Sequence, residues 1–521
     1  MKKKKILLFC LIIITGILIL VGSYKYNYSL EIQPPSEIWS KEVSVGTAIT
    51  KNTPVVLNED NRILVAYENN KNLNISETDI MGKLIQIKEY KIDEELMNDV
   101  LFTKSSDGYI LMINSVEVGD GYLLKIYLDK DLNEVNREKI NGVKVTCQLD
   151  NNTIIAAYSD KIEIINMLEN SIVSVSANNT NMISSSKDKD GFLIGYMEDD
   201  SLIKAFTFKE GIASEPIEVK KMTKSSKFVY KGMATSSDGE NGYIIFEQYV
   251  KGELQSCRSF EFPIGGGVVK EGKPQDNQGN YLINSIGIYS NENGGRFYTI
   301  VDNAYGRKEA RRGIASLILK DGKINKVEPV TRTRGLCINP YINGEYIAYL
   351  SFKEKDVYDV VISSTNDEFK AVNNLPRESE KKSALTYTIE GVMNSFSYII
   401  VVGFPWIAVG LVLSGIVTFL DYKFSNKQKT IAYLITAVVT TCAKIFIIIR
   451  MFYIKYIYML PKGIYPIYVG VIICIVIAII SYSYGYLKYT SEFEGIFISK
   501  FALSLLIDTL LTLMIYAPLV V

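Results

Sequence analysis

Two charged residues lie inside segments that are otherwise apolar and long enough to cross a membrane. Lys444 lies in the segment 431–451, and Asp508 lies in the segment 496–521. A charge inside a membrane span is costly and usually faces a partner or water. At a helical rise of about 1.5 Å per residue, both side chains lie near mid-span, so an ion pair is geometrically possible. This pair is the sharpest candidate for chemistry in the chain.

Three interpretations of Lys444 and Asp508 stay open. A functional pair would act as a proton or ion relay, or as the coupling site of a transport process. A structural pair would instead fix how two helices pack. In the third interpretation there is no pair, and Lys444 extends alone toward the membrane surface.

A second candidate is a basic cluster in the sixth of the repeats described below, where acidic residues offset the charge only in part. An exported basic patch would suit the phosphates of lipid headgroups or anionic wall polymers. A plain solvated surface is the alternative. The cluster comprises Arg307, Lys308, Arg311, Arg312, Arg332 and Arg334.

Other chemistry is constrained by composition. The chain has no histidine, which removes Ser-His and Cys-His nucleophiles and the commonest ligand of zinc and copper. Its six cysteines are scattered without CxxC spacing, so they indicate neither a disulfide framework nor a metal site. The net formal charge is zero, which does not favour nucleic acid as a partner. We therefore predict no catalytic residue, no metal and no cofactor, although carboxylate or tyrosine chemistry stays possible.

The elements that would position these residues are indicated by a recurring pattern, in which a turn rich in Asp, Asn and Gly precedes an apolar strand. Successive strand starts are 39 to 54 residues apart, and about four short strands fit into each unit. A period of this length is typical of β-propellers. Seven sheets around an axis can bury faces that one sheet alone cannot. The seven strands start at Ile63, Tyr109, Thr153, Phe192, Tyr243, Phe297 and Tyr346.

We therefore predict an all-β domain over 53–373, a seven-bladed β-propeller. Six or eight blades, or a pair of facing sheets, are the alternatives. Residues 24–52 are assigned to a spacer, in which the alternating stretch 42–49 is a candidate for the strand that closes the ring.

Hydropathy changes abruptly outside the repeats. Residues 1–23 combine four lysines with an apolar run, which is typical of a signal anchor or of a cleaved signal peptide. Residues 374–395 form a polar juxtamembrane linker. Residues 396–521 contain four segments of membrane-spanning length, so we predict a four-helix transmembrane domain and five membrane helices in all.

The function expected from this organisation is general. Lysines at the N-terminus should stay in the cytoplasm, which places the large domain of a multi-pass membrane protein outside it. We expect a membrane protein, bacterial to judge from its Lys, Asn, Ile and Tyr content, whose propeller acts as a binding, sensing or assembly module. Its partners would be the lipid bilayer and a membrane or cell-surface protein. The alternatives are a component of a transport or export system, with Lys444 and Asp508 at its coupling site, and a propeller enzyme that uses carboxylates or tyrosine.

Overall fold

The computed structural model describes residues 2–92, 97–116, 121–223, 227–274, 283–288, 294–302, 312–332, 336–454, 460–461, 463–490 and 496–519. The chain divides into two compact units. The first consists of β-strands and covers Pro34–Tyr305 and Ala310–Leu375. The second is helical and includes Met1–Gln33 and Pro376–Val521.

The strands of the first unit form seven antiparallel sheets. The strands of the first half are β1 Val43–Ala48, β2 Val55–Asn58, β3 Arg62–Asn69, β4 Asn72–Asp79, β5 Leu84–Lys91, β6 Met97–Lys104, β7 Gly108–Val116, β8 Gly121–Asp129, β9 Glu134–Asn141, β10 Val145–Gln148, β11 Thr153–Ala157, β12 Lys161–Asn166 and β13 Ser171–Ser176. Those of the second half are β14 Thr180–Lys187, β15 Phe192–Glu198, β16 Leu202–Lys209, β17 Ile212–Ala213, β18 Ile217–Lys221, β19 Phe228–Ser237, β20 Asn241–Val250, β21 Glu253–Pro263, β22 Lys270–Gly272, β23 Ile283–Ile288, β24 Gly295–Asp302, β25 Arg312–Lys320, β26 Lys323–Pro329, β27 Cys337–Asn343, β28 Tyr346–Glu354 and β29 Val357–Ser364.

Each sheet is one blade of a seven-bladed propeller. Blades 1 to 6 take their strands in chain order, from β2–β5 through β23–β26, and in blade 4 the outer strand is split into β17 and β18. The prediction of seven blades is confirmed, and the two-sheet alternative is wrong. All seven strands found from the repeat are second strands of their blades. They are buried on both faces, as in β3, where six consecutive residues from Ile63 to Glu68 are buried.

Blade 7 is completed by the two ends of the unit. Strand β1 pairs with β29, so the sheet order is β1-β29-β28-β27. Beyond the ladder, the backbone amide of Ser40 donates to the carbonyl of Ser364 at 2.8 Å, and the amide of Ser364 donates to Ser40 Oγ at 2.8 Å. Trp39 packs edge-on against Tyr298 in the neighbouring blade, with ring centroids 5.9 Å apart. The first and last strands thus hold the ring closed.

The turns between the first and second strands of the blades use the residues that the repeat pattern picked out. In blade 5, Asp238 Oδ1 accepts from the amides of Glu240 and Asn241 at 3.0 and 2.7 Å, and Gly239 has a φ of +89°. In blade 3, Asp150 Oδ1 accepts from two amides, those of Asn152 and Thr153, at 2.8 Å each. These side chains satisfy turn amides that no strand partner reaches.

The helices lie mainly in the second unit. They are α1 Lys2–Glu31, α2 Asp367–Asn373, α3 Glu378–Tyr398, α4 Phe404–Leu420, α5 Asn426–Ile448, α6 Ile467–Thr490 and α7 Phe497–Tyr516, with α2 in the propeller unit. A π-helical turn, Ile399–Gly403, joins α3 to α4 without a break, and a second one, Ile449–Ile454, extends α5. Within the described residues, five helices are long and apolar enough to cross a membrane, and the chain is a membrane protein by this criterion.

The segment assigned to a linker, 374–395, is largely helical in the structure. Helix α3 buries a stripe with helical spacing that is made of small or polar residues, so hydropathy did not reveal it. At the end of this stripe, Gly391 lies against Pro518, where a Cβ would overlap the proline ring. The Thr388 hydroxyl accepts a hydrogen bond from Asn27 Nδ2 at 3.0 Å, which ties α3 to α1. The stripe consists of Glu380, Ala384, Thr388, Gly391 and Ser395.

Candidate functional site

The propeller contains a cavity of about 440 Å³ between the first strands of its blades. Its walls come from the first strands of the blades (β2, β6, β10, β14, β19, β23 and β27) and from the turns that follow several of them. At one end, Asn343 Nδ2 of blade 7 donates to Asn151 Oδ1 of blade 3. These two turn residues are 192 positions apart in the chain. The turns of the repeat therefore meet at the mouth of the cavity.

Asp99 is the carboxylate in the wall of this cavity that has no partner. It lies on β6 and forms no hydrogen bond or ion pair with any residue that the structure describes. Burial raises the pKa of its carboxyl group to about 6, because the charged form loses hydration and gains nothing in exchange. In its ionised form, this carboxylate attracts any cation that enters the cavity.

Three neutral side chains beside Asp99 also lack hydrogen-bond partners in the described structure. They are Thr146 on β10, Ser186 on β14 and Asn152 in the turn of blade 3, and the oxygens Oγ1, Oγ and Oδ1 of these residues are buried. Unpaired polar atoms also occur elsewhere in the described propeller, for example at Thr103 and Ser259, so these three oxygens alone do not mark a ligand site.

The side chain of Gln148, in the same wall, has hydrogen-bond partners for both its donor and its acceptor. Its Nε2 donates to the carbonyl of Phe102 at 2.7 Å, and its Oε1 accepts from the amide of Phe102 at 3.0 Å. This exchange holds blade 3 to blade 2. Gln148 is therefore structural, in contrast to the unpaired oxygens around it.

The nucleophiles in the wall are poorly activated. Cys147 lies 3.4 Å from the Ser185 hydroxyl, and burial raises the pKa of its thiol to about 11. Burial also raises the pKa of the Tyr341 hydroxyl. A thiol and a phenol in this state are weak nucleophiles at neutral pH.

The structure brings Lys444 and Asp508 together in the helical unit. Lys444 Nζ on α5 donates to Asp508 Oδ1 on α7 at 2.6 Å, and both side chains are fully buried. The ammonium group also donates to the carbonyl of Cys474 on α6 at 3.0 Å and contacts the Thr512 hydroxyl at 3.4 Å. One lysine thus links three helices, and the interpretation in which Lys444 extends alone does not describe this arrangement. Whether the pair has a function stays a prediction.

Polar atoms without partners also occur close to this pair. Asp508 Oδ2, Ser481 Oγ and the Tyr482 hydroxyl are buried and have no hydrogen-bond partner in the part of the chain that is described. Thr440, by contrast, returns its hydroxyl to the carbonyl of Thr436 at 2.8 Å. The carboxylate is therefore only half satisfied by Lys444.

Among the residues of the basic cluster, the structure describes the side chain of Arg332. Arg332 donates through Nε and Nη2 to the two carboxylate oxygens of Glu42, at 3.1 and 3.0 Å, and its side chain is 8% exposed. Its guanidinium is therefore held by a protein carboxylate. The side chains of the other five residues lie outside the described part of the chain, and their contact with an anion stays a prediction; these residues are Arg307, Lys308, Arg311, Arg312 and Arg334.

Comparison with known proteins carries no argument about function. No protein-family model and no curated protein matches the chain. Among solved structures, the N-terminal domain of Nup159 has a TM-score of 0.36 at 9% identity, and covers 64% of this chain and 97% of that domain. The β-propeller domain of the Trilobed protease from Pyrococcus furiosus has a TM-score of 0.34 at 11% identity, and covers 60% of this chain and 98% of that one. The function has to be argued from the residues of this chain.

The unpaired Asp99 leads to a prediction about stability. Its folded pKa lies above the ordinary value of 3.8, so the folded state binds the proton more tightly than the unfolded state. Stability should fall as pH rises from about 4 to about 6 and stay lower above that range. We expect Asp99→Asn to raise the unfolding free energy at pH 7.5 by about 1–2 kcal/mol, which corresponds to an increase of a few degrees in the midpoint temperature of thermal unfolding.

Thermal unfolding of the full chain in detergent, at pH 5.0 and pH 7.5, measures this effect. Asp107→Asn is the matched control, because Asp107 is exposed in the turn of the same β6–β7 hairpin. A variant Asp99→Asn that melts below the wild type at pH 7.5 would show that the carboxylate has a stabilising partner.

The buried pair leads to a second prediction. Removing one partner leaves a charge that costs about 2.5–3.5 kcal/mol at the centre of a membrane. We expect Lys444→Met or Asp508→Asn alone to lower the amount of folded protein in the membrane, and the double variant to recover part of it. Fluorescence-detected size exclusion of membrane extracts measures the folded amount.

Lys427→Met serves as the control, since Lys427 is on the same helix and exposed. If the double variant is no more abundant than the worse single variant, Lys444 and Asp508 do not compensate each other, and the pair is not the reason why the two charges are tolerated.

Proposed function

We propose that this protein is a membrane-anchored binding protein whose propeller lies outside the cytoplasm and holds a small ligand in its axial cavity. The observation that carries the proposal is Asp99, a carboxylate that lines the cavity and has no hydrogen-bond or ion-pair partner among the described residues. A charged group in a protein interior is normally paired, so an unpaired carboxylate in a cavity is available to a ligand.

The scaffold supports binding because it is rigid where the ligand would lie. The cavity wall consists of first strands that are hydrogen-bonded within their blades, and Gln148 joins two of these blades directly. Polar groups on such strands keep their positions without a ligand, which lowers the cost of binding.

The proposed orientation rests on the lysines of the helical unit. Tyr489 at the end of α6 donates to Asp421 at the end of α4, and Phe9 of α1 packs near Tyr484 of α6, so these helix ends lie on one side of the unit. Most of the lysines of this unit belong to that side, and the positive-inside rule makes it cytoplasmic. They are Lys2, Lys3, Lys4, Lys5, Lys423, Lys427, Lys429, Lys488 and Lys500.

Cysteine labelling on intact cells tests the orientation. Glu240 and Lys427 are exposed residues of the propeller and of α5, respectively. On a background in which the native cysteines are replaced, a membrane-impermeant maleimide should label Glu240→Cys directly and Lys427→Cys only after permeabilisation. Direct labelling of Lys427→Cys would place the propeller in the cytoplasm.

Co-purification tests the binding role. Full-length protein isolated from its own membranes should carry a small molecule that mass spectrometry of the denatured extract detects. Ser185→Phe, which fills the cavity, should lose this molecule, whereas Ser174→Phe on the exposed outer strand β13 should keep it. If wild type and Ser185→Phe carry the same molecules, the cavity is not the binding site.

In this proposal the bound state would be read or supplied by a membrane or cell-surface protein. The transport alternative is favoured by one observation, the half-satisfied Asp508 beside Lys444. Recovery of abundance without recovery of function in the double variant of this pair would support the coupling site over the structural pair.

A further inference from the structure

We infer that the axial cavity selects a small polar molecule bearing a protonated amine, with Asp99 as its counter-ion. This inference rests on the proposed binding function and deepens it by naming the chemical class of the ligand. It follows from the charges in the wall and from their positions along the axis.

Among the described residues of the wall, the titratable ones are Asp99, Cys147, Asp150, Lys187 and Tyr341. The carboxylate of Asp150 caps the turn of blade 3 through its Oδ1. Cys147 and Tyr341 are neutral, because burial raises the pKa of both groups. Besides Asp150, the charged groups of the described wall are one anion, Asp99, and one cation, Lys187.

These two charges do not neutralise each other. Asp99 is the third residue of β6, whereas Lys187 is the last residue of β14, next to the turns at the mouth. No ion pair joins them, and within the described structure neither has another charged partner. Asp99 thus lies further than Lys187 from the turns that follow the first strands, and a cation inside the cavity meets a carboxylate without a partner in the described structure.

The neutral groups complete the description of the ligand. An ammonium group donates three hydrogen bonds, and the two carboxylate oxygens of Asp99 can accept them. The amide and hydroxyl side chains that line the same cavity suit a polar group elsewhere on the molecule. A metal ion fits the wall less well, because no group of three or more Cys, Asp or Glu ligands occurs in the described residues. A protonated amine is the cation that this wall can satisfy.

Cys147 provides a probe inside the cavity, so the test does not require the natural ligand. The full-length protein in detergent is treated with methanethiosulfonates of similar size that carry an aminoethyl, hydroxyethyl or sulfonatoethyl group. Mass spectrometry of the Cys147 peptide gives the rate for each reagent. Cys442, exposed on α5, is the control site in the same molecule.

At pH 7.5 the cationic reagent should modify Cys147 about tenfold faster than the anionic one, relative to Cys442, because Asp99 attracts one and repels the other. Asp99→Asn should remove most of this ratio. Lys187→Gln should increase it. Using the ratio cancels any change in thiol reactivity that the substitutions cause. At pH 5.0, where Asp99 is mostly protonated, the wild-type ratio should approach that of Asp99→Asn.

The outcomes distinguish the proposed binding function from the inferred selection of an amine. If the hydroxyethyl reagent fails to modify Cys147, the cavity is closed to small molecules and the proposed binding function is contradicted. If that reagent reacts but the charge ratio at Cys147 equals that at Cys442, or is unchanged by Asp99→Asn, the cavity is open and selection of an amine is contradicted.

Discussion

The propeller depends on one constraint: a sheet of four strands cannot bury both of its faces alone. Each blade obtains its second covered face from a neighbour, and the seventh neighbour exists only if the ring closes. Here closure is made by β1 and β29, strands from the two ends of the domain, together with the hydrogen bonds between Ser40 and Ser364. The burial of every second strand therefore rests on a pairing that joins about 300 residues of chain.

The same closure creates the cavity. Seven first strands around an axis leave space between them that their own side chains do not fill, about 440 Å³ in this protein. Residues from blades that are distant in the chain meet there, as Asn151 and Asn343 do. Most polar residues there pair within or between blades, as Asp150 and Gln148 do, whereas Asp99 has no partner in the described structure. The ring closure that buries the strands therefore also forms the cavity in which the candidate site lies.

The sequence was informative about architecture because burial leaves a periodic pattern. Turn residues before apolar strands, such as Asn151 and Asn152 before Thr153, indicated the number of blades and the position of each second strand. The first strands are harder to recognise: Asp99 stands in a segment with no distinctive motif, and its importance depends on neighbours 40 or more residues away. Lys444 and Asp508 were recognisable because a charge is conspicuous in an apolar span. Helix α3 was assigned to a linker because its buried stripe is made of small and polar residues.

Asp99 and Asp508 differ in how their charge is balanced. Asp508 has a lysine at 2.6 Å that is supplied by the fold itself, so part of the cost of its charge is met when the helices pack. Asp99 receives no such partner, and burial lowers its tendency to ionise. A molecule that binds only the folded state stabilises it by mass action. A cation bound at Asp99 would therefore offset a cost that the empty protein bears, and binding and stability would be coupled through one carboxylate. Since the ligand binds the ionised form, this coupling should be strongest above about pH 6, where the empty propeller is least stable.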